Sequence, residues 1–343
     1  MGAEPFAGNV KTEKRKTEIW DAFCRVIGKC KEEKINFLFI AGDFFHRQPL
    51  LRDLKEVDYL FSTIPDTKVV LIAGNHDYIK KDSYYRSFRW SNNVFMLKSE
   101  DMDYMTFPDF DLAVYGLSYH SREIIEPLYD NIQIKDEMKH HVLLAHGGDA
   151  LHIPFNKTAL EASDFDYIAL GHIHKPQTLI MDRMAYAGAL EPIDRDDVGA
   201  HGYIEGELTE KGCRIRFVPD CAREYVHMKV VVDETMTTYS LAEKVRNMIK
   251  ERGDQHLYSL SLEGFSDPDM MFDLGTIKKV GNVVDLCDHT RPAYDFKKLQ
   301  DRNKDNLIGK YIESFNDVSE DSIEYTALCE GIRALMETKR GQV

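Results

Sequence analysis

The sequence predicts an α/β fold followed by a second, smaller α+β unit. Three observations carry that reading. Short, nearly continuous apolar runs alternate with stretches whose apolar residues recur at helical spacing, the pattern of strands covered on both faces and of amphipathic helices. Several of those runs stop at Gly or His beside further polar residues, which places polar side chains at strand exits. The 343 residues are 43% hydrophobic and 30% charged, enough for two domains or for one large domain with an appendage.

From about Thr12 to Glu33, Ile19, Trp20, Phe23, Val26, Ile27 and Cys30 form one helical stripe. The run 35–41 follows as a strand and ends in Gly42-Asp43-Phe44-Phe45-His46. Pro49 to Thr63 reads as a second helix, with Leu51, Leu54, Val57, Leu60 and Phe61 inward. The strand 69–73 runs into Gly74-Asn75-His76-Asp77, completing an αβαβ pattern. The runs 93–97 and 112–116 read as strands. So do 141–145, which stops at His146-Gly147-Gly148, and 167–170, which stops at Gly171-His172-Ile173-His174. Short strands over 185–188, 202–208 and 214–218 form a meander. Beyond about 219–225 a strand (226–232), a helix (241–249) and a strand (257–262) form a β-α-β group. This divides the chain into residues 1–223, 224–290 and 291–343. The last part carries Ile323, Ala327, Leu328, Ile332 and Leu335 at helical spacing.

The net charge of −14 argues against a general electrostatic grip on nucleic acid, which needs clustered Lys and Arg. It leaves a phosphodiester substrate open, because a bound metal supplies local positive charge. Lys11, Lys14, Arg15 and Lys16 read as the solvated start of the first helix. No apolar run approaches the ~18 residues of a transmembrane helix, and the N-terminus has no signal-like apolar region. Six cysteines without a C-x-x-C pair read as reduced thiols of a cytoplasmic protein.

Four strand exits thus carry Asp43, Asn75-His76-Asp77, His146 and His172 with His174. Gly74 permits a sharp turn, and the carboxyl ends of strands are where α/β sheets bind ligands. Imidazole, carboxylate and amide oxygen without thiolate suit Mn²⁺, Fe²⁺ or Zn²⁺. A carboxylate among them can bridge two ions ~3.5–4 Å apart, as in phosphatases and nucleases. In an extended backbone His172 and His174 would point the same way. His140, His141, His152, His201, His227, His256 and His289 read as surface or structural, and His120 is left open. Tyr258, Phe272 and Tyr294 read as core.

Gly42-Asp43, Gly74-Asn75-His76-Asp77, His146 and Gly171-His172-Ile173-His174 resemble, in order and spacing, the motif series of calcineurin-like metallophosphoesterases. Gly42-Asp43-Phe44-Phe45-His46 and Ala185-Tyr186-Ala187-Gly188-Ala189-Leu190-Glu191-Pro192 resemble the SbcD-type DNA repair exonucleases. The downstream half is similar to their YhaO-like members. The resemblance implies a four-layer sandwich of two mixed β-sheets flanked by helices, a DNA-binding cap over 224–290, and a C-terminal helical segment that binds an SbcC-type coiled-coil ATPase. It implies two divalent metal ions, Mn²⁺ foremost with Fe²⁺ or Zn²⁺ as alternatives. Asp43 would bridge both, Asn75, His146 and His172 would complete one shell, and His174 would bind the other ion. His76, paired with Asp77, would stabilise the transition state or protonate the leaving oxygen, and His46 would face the nucleic acid. The reaction implied is in-line attack of activated water on phosphorus. A homodimer is implied by the family alone.

One family motif has no match here: an opening strand ending in Asp-x-His, which supplies two ligands to the second ion. Met1-Gly2-Ala3-Glu4-Pro5 resembles the segment that follows it. The expectation is that the native protein carries that strand upstream, and that two-metal catalysis by the sequence as it stands is weakened. Two other functions compete with a DNA nuclease: a metal-deficient DNA-binding or scaffold subunit, and a small-molecule phosphodiesterase.

Overall fold

A computed structural model describes residues 1–3, 12–315, 318–320 and 322–340. Glu4, Pro5 and Lys11, named above, lie outside the described residues. The chain falls into two compact units, Met1–Tyr225 and Val226–Val343.

The first unit begins with α1 (Thr12–Glu32), β1 (Phe37–Ala41), α2 (Leu51–Ser62), β2 (Lys68–Ile72) and β3 (Val94–Met96). It continues through β4 (Asp103–Phe107), β5 (Leu112–Gly116), β6 (His140–His146), α3 (Lys157–Glu161), β7 (Tyr167–Gly171), β8 (Gln177–Ile180) and β9 (Met184–Tyr186). The hairpin of β10 (Gly202–Thr209) and β11 (Gly212–Pro219) follows. β1, β2 and β3 make a parallel three-stranded sheet. A six-stranded sheet has the order β4-β5-β6-β7-β9-β8, with β5, β6, β7 and β9 parallel and the two edge strands antiparallel.

Period-2 alternation stacks these sheets. Val69 and Leu71 of β2 face the helices, joining Phe23, Val26 and Ile27 of α1 and Leu54, Val57 and Phe61 of α2 in one cluster. Their neighbours Val70 and Ile72 face the other way and meet Val114 of β5 and Val142 and Leu144 of β6. Leu143 and Ala145 of β6 point to the far side, into a cluster with Tyr115, Leu160, Phe165 and Ile168. Successive side chains on a strand leave opposite faces, so a continuous apolar run is what a strand buried on both sides requires. The unit is a mixed α/β structure of several sheets flanked by helices, as the sequence predicts.

Two expectations are overturned here: Leu51, at the start of α2, is exposed rather than inward, and Arg15 is buried. Arg15 is not at a solvated helix start but fully buried, with its guanidinium on the Glu18 carboxylate and donating to the Pro192 carbonyl at 2.7 Å. Glu191, at 3.7 Å, completes the charge arrangement, and Glu18 also pairs with Arg223 at 2.7 Å. A basic run reads as solvated only while its long-range carboxylates are unknown.

The second unit holds a sheet of β12 (Tyr225–Val232), β13 (Leu257–Ser266) and β14 (Val283–Asp288), with β15 (Arg291–Pro292) beside β13. α4 (Thr238–Arg252) and α5 (Leu274–Lys278) pack on it, and Tyr258 lies fully buried in their core with Phe272 against it. α6 (Phe296–Arg302), α7 (Leu307–Glu313) and α8 (Ile323–Arg340) share a separate cluster of Ile308, Ile312, Leu328 and Ile332, against which Tyr294 packs. Among the described residues no helix is long and apolar enough to cross a membrane.

Candidate metal centre

β1 and β2 run parallel in one sheet and β6 and β7 run parallel in the other, and β1 packs against both β6 and β7. Asp43, Asn75, His146 and His172, at or just beyond their carboxyl ends, therefore come together. Gly42 and Asp43 both take positive φ (83° and 50°), so the chain reverses directly after β1. The Asp43 carboxylate then accepts the backbone N–H of His76 at 2.8 Å.

His146 occupies the centre. It is completely buried, in a slot walled by glycines. A Cβ on Gly42 would meet its Nδ1 at 2.4 Å, one on Gly74 its Cε1 at 2.6 Å, and one on Gly171 its Nδ1 at 2.9 Å. Nδ1 donates to the Ala41 carbonyl at 2.8 Å. The backbone of His146 is held by tyrosine hydroxyls that the sequence reading did not single out. Tyr129 accepts its N–H at 3.0 Å and donates to its carbonyl at 3.2 Å, and Tyr119 donates to the same carbonyl at 3.0 Å.

With Nδ1–H engaged by Ala41, Nε2 of His146 is the atom left to bind. It lies 2.9 Å from Oδ1 of Asn75 and 3.3 Å from Oδ2 of Asp43. Nδ1 of His172 approaches the same amide oxygen at 3.1 Å. One ligand atom each from Asp43, His146 and His172 lie within 4.8 Å of one another. Gathered at one point, these imidazole and oxygen atoms fit a divalent ion of the kind that binds both donor types. Burial alone would raise the Asp43 carboxyl, but the charge and hydrogen bond of His146 hold it below its ordinary value. Burial would lower His146, and Asp43 outweighs it to hold the imidazole above its ordinary value. His172 has φ 93°, a conformation that side chains other than glycine rarely adopt and that costs about 1–3 kcal/mol, as found at functional sites.

Asp43, His46, His76, His172 and His174 line one cavity of about 240 Å³. His46 and His76 stack with ring centres 4.6 Å apart, and Nδ1 of His76 lies 3.1 Å from the His46 carbonyl. Burial, and then the neighbouring His76, lower the pKa of His46. Asp77, which the sequence reading pairs with His76, lies elsewhere. Fully buried, it accepts the N–H of Gly74 at 2.7 Å, the N–H of Phe45 at 3.2 Å and the hydroxyl of Tyr85 at 2.9 Å. It braces the turns after β1 and β2, while the His46 carbonyl orients His76. Burial, and then Asp43, raise its pKa.

His174 does not join the Asp43–His146–His172 group. Its Nδ1 lies 3.2 Å from Asp197, whose carboxylate also accepts the N–H groups of Ile193 and Asp194 at 2.9 Å each. Asp197 raises the pKa of His174, against burial. The turn after β7 therefore sends the two imidazoles to different partners, because His172 is not extended. Sequence reasoning also missed Asp149 and placed His152 among surface or structural residues. His152 packs over His172 with ring centres 4.4 Å apart, and Asp149 accepts from Nε2 of His172 at 2.7 Å and from Nδ1 of His152 at 2.9 Å. The available signal was a carboxylate three residues beyond His146, in His146-Gly147-Gly148-Asp149.

Residues 17–176 match the family model of calcineurin-like phosphoesterases. The chain is similar to the uncharacterized metallophosphoesterase YhaO of Bacillus subtilis, with 26% identity over 260 residues, 70% of this chain and 62% of that protein. It is similar to the DNA double-strand break repair protein Mre11 of Methanocaldococcus jannaschii, with 26% identity over 202 residues, 53% of each chain. The protein of that name from Halobacterium salinarum is also 26% identical over 202 residues, 55% of this chain and 50% of that one. The matches thus span between half and two thirds of these relatives' lengths.

Proposed function

From a chain that carries a calcineurin-like phosphoesterase domain over residues 17–176, we propose a metal-dependent hydrolase that cuts phosphodiester bonds in DNA. The observation that carries this reading is the convergence of Asp43, Asn75, His146 and His172 on one point at the joined edges of two sheets. Those four residues would hold one of two cations, with His174 the ligand expected for the other, Mn²⁺ foremost and Fe²⁺ or Zn²⁺ as alternatives. A divalent ion there supplies Lewis acidity, acidifying water and offsetting charge on phosphoryl oxygens.

The chain's own groups do the rest. The Asp43 carboxylate holds the His76 backbone. The His46 carbonyl takes Nδ1–H of His76, which leaves Nε2 as the atom that exchanges a proton with the leaving oxygen. His46, stacked on it in the same cavity, faces the nucleic acid. Asp77 keeps the two turns rigid. DNA as substrate is supported by the similarity to proteins named for DNA double-strand break repair. Docking of an SbcC-type coiled-coil ATPase on residues 291–343, and a homodimer, complete the proposal. Removing those residues should abolish co-purification with such an ATPase.

The test is cleavage of duplex DNA ends and of a small chromogenic phosphodiester, each with Mn²⁺ and with chelator. Metal-dependent DNA cleavage supports the reading. Cleavage of the small diester alone replaces it with a small-molecule phosphodiesterase. His76→Ala should lower turnover by about 10²–10⁴-fold, the range for loss of a general acid–base group, and leave metal affinity unchanged. The pairing of His174 with Asp197 favours a second reading, in which one ion binds and the subunit serves as a DNA-binding scaffold. Counting Mn²⁺ per chain separates the two: two ions support the nuclease, and one or none the scaffold.

A further inference from the structure

The loop after β6 is built to aim one carboxylate. Gly147 and Gly148 take φ values of 136° and 116°, and a Cβ on either would strike the His152 carbonyl at 2.2 Å or the Tyr186 hydroxyl at 2.1 Å. Ile153, buried and β-branched, sits at φ 35°, where such residues are outliers. The loop is pinned by Gly148 N–H to the His152 carbonyl (2.7 Å), Ile153 N–H to the Ile124 carbonyl (2.7 Å) and Ile124 N–H to the Leu151 carbonyl (3.0 Å). The Tyr186 hydroxyl donates to the Gly147 carbonyl at 2.8 Å. Strain of this kind persists only where surrounding bonds over-determine it. Its product is the placement of Asp149. Oδ1 accepts the N–H groups of Leu151 and His152 at 2.8 and 3.0 Å. Oδ2 accepts from Nε2 of His172 at 2.7 Å, and Nδ1 of His152 lies 2.9 Å from both oxygens.

We propose that Asp149 is the positioning residue of His172: it accepts Nε2–H, so that Nδ1 is left as the lone-pair atom facing Asn75, and His152 steadies the carboxylate. A neutral imidazole has one donor and one acceptor nitrogen, and the bond made by one decides what the other can do. Here the deciding bond is to a carboxylate, which can only accept. A carboxylate behind a ligating imidazole fixes the ring's tautomer and orientation, and its loss weakens metal binding about 10–100-fold. Asp149, His152 and His172 could instead be taken as a separate cation site, since one ligand atom of each lies within 4.8 Å of the others. The hydrogen bonds argue otherwise. Both imidazoles already satisfy the carboxylate, and the one lone pair of a neutral His172 faces Asn75.

This inference rests on the reading of His172 as a metal ligand, and the test keeps the two apart. The full chain and its D149A, D149N, H152A and H172A variants are titrated with Mn²⁺ by equilibrium dialysis, with folding checked by thermal melts. Nitrogen-15 shifts of His172 are recorded without metal. D149A should weaken Mn²⁺ binding about 10–100-fold without changing the number of ions bound, and should shift His172 away from the Nε2–H tautomer. D149N keeps an acceptor oxygen and should restore most of the affinity and the tautomer. H152A should change both far less than D149A. Unchanged affinity and tautomer in D149A, with H172A weakened, overturn the positioning role alone. Loss of one bound ion in both D149A and H152A overturns it in favour of a separate site. Unchanged affinity in H172A removes the underlying ligand assignment, and the inference with it.

Discussion

At the scale of single residues, the site depends on what is absent as much as on what is present. His146 fits because Gly42, Gly74 and Gly171 leave no Cβ around its ring. A methyl group on Gly74 would stand 2.3 Å from Oδ1 of Asp43 and 2.5 Å from its backbone nitrogen, so the carboxylate must move. Gly74→Ala should therefore weaken Mn²⁺ binding at least tenfold by dialysis, and lower stability by about 1–3 kcal/mol in denaturant titration, as overpacking does. Tyr85 makes a comparable point from the other side. Its hydroxyl is one of three donors on the fully buried Asp77 carboxylate. Tyr85→Phe should cost about 1–3 kcal/mol, because a buried charged acceptor then lacks a partner.

At the scale of elements, α1 is tied by buried charge to the segments before β10 and after β11. Arg15 and Glu18 of this helix meet Glu191, the Pro192 carbonyl and Arg223. Removing one partner of such a buried set leaves the others uncompensated, so Arg15→Ala should destabilise the first unit by about 3–5 kcal/mol in denaturant titration. Burial raises the Glu191 carboxyl from 4.5 to about 7, only partly opposed by the Ala222 N–H and Arg15. A raised carboxyl binds its proton more tightly in the folded state. Its stabilisation is therefore complete below about pH 4.5 and is lost as pH rises through about 7. At about 1.4 kcal/mol per unit this is on the order of 3 kcal/mol between pH 4 and pH 8. Glu191→Gln, permanently neutral, should remove that fall, read as the difference in melting temperature between variant and parent across the range.

At the scale of the whole molecule, the candidate ligands are drawn from both sheets of the first unit: Asp43 and Asn75 follow β1 and β2, and His146 and His172 belong to β6 and the exit of β7. A cation bound there joins the two sheets and stabilises that unit in proportion to its saturation, by about 2.7 kcal/mol at 100 times the dissociation constant. The second unit has its own core and contributes none of these ligands. Calorimetry with added Mn²⁺ should therefore raise the transition of Met1–Tyr225, and chelator should reverse the shift.

The α/β class, the strands β1, β2, β5, β6 and β7, and the gathering of Asp43, Asn75, His146 and His172 were legible because both signals are local. A doubly buried strand must be apolar throughout, and ligands in such a sheet sit where the strand stops. The short edge strands β4 and β8 were not legible, since an edge strand needs no continuous apolar run and takes its form from the neighbour it pairs with. The partners of the site residues were decided by tertiary structure. Asp77 is next to His76 in sequence, yet adjacent side chains in a turn diverge, and Asp77 turns to Gly74, Phe45 and Tyr85. His172 and His174 share a motif, yet a positive φ at His172 sends them to Asp149 and Asp197. Arg15 became a core residue only when Pro192 arrived from 177 positions away, with Glu191 beside it. Residue type and spacing determine which atoms can bind; the backbone path determines which of them meet.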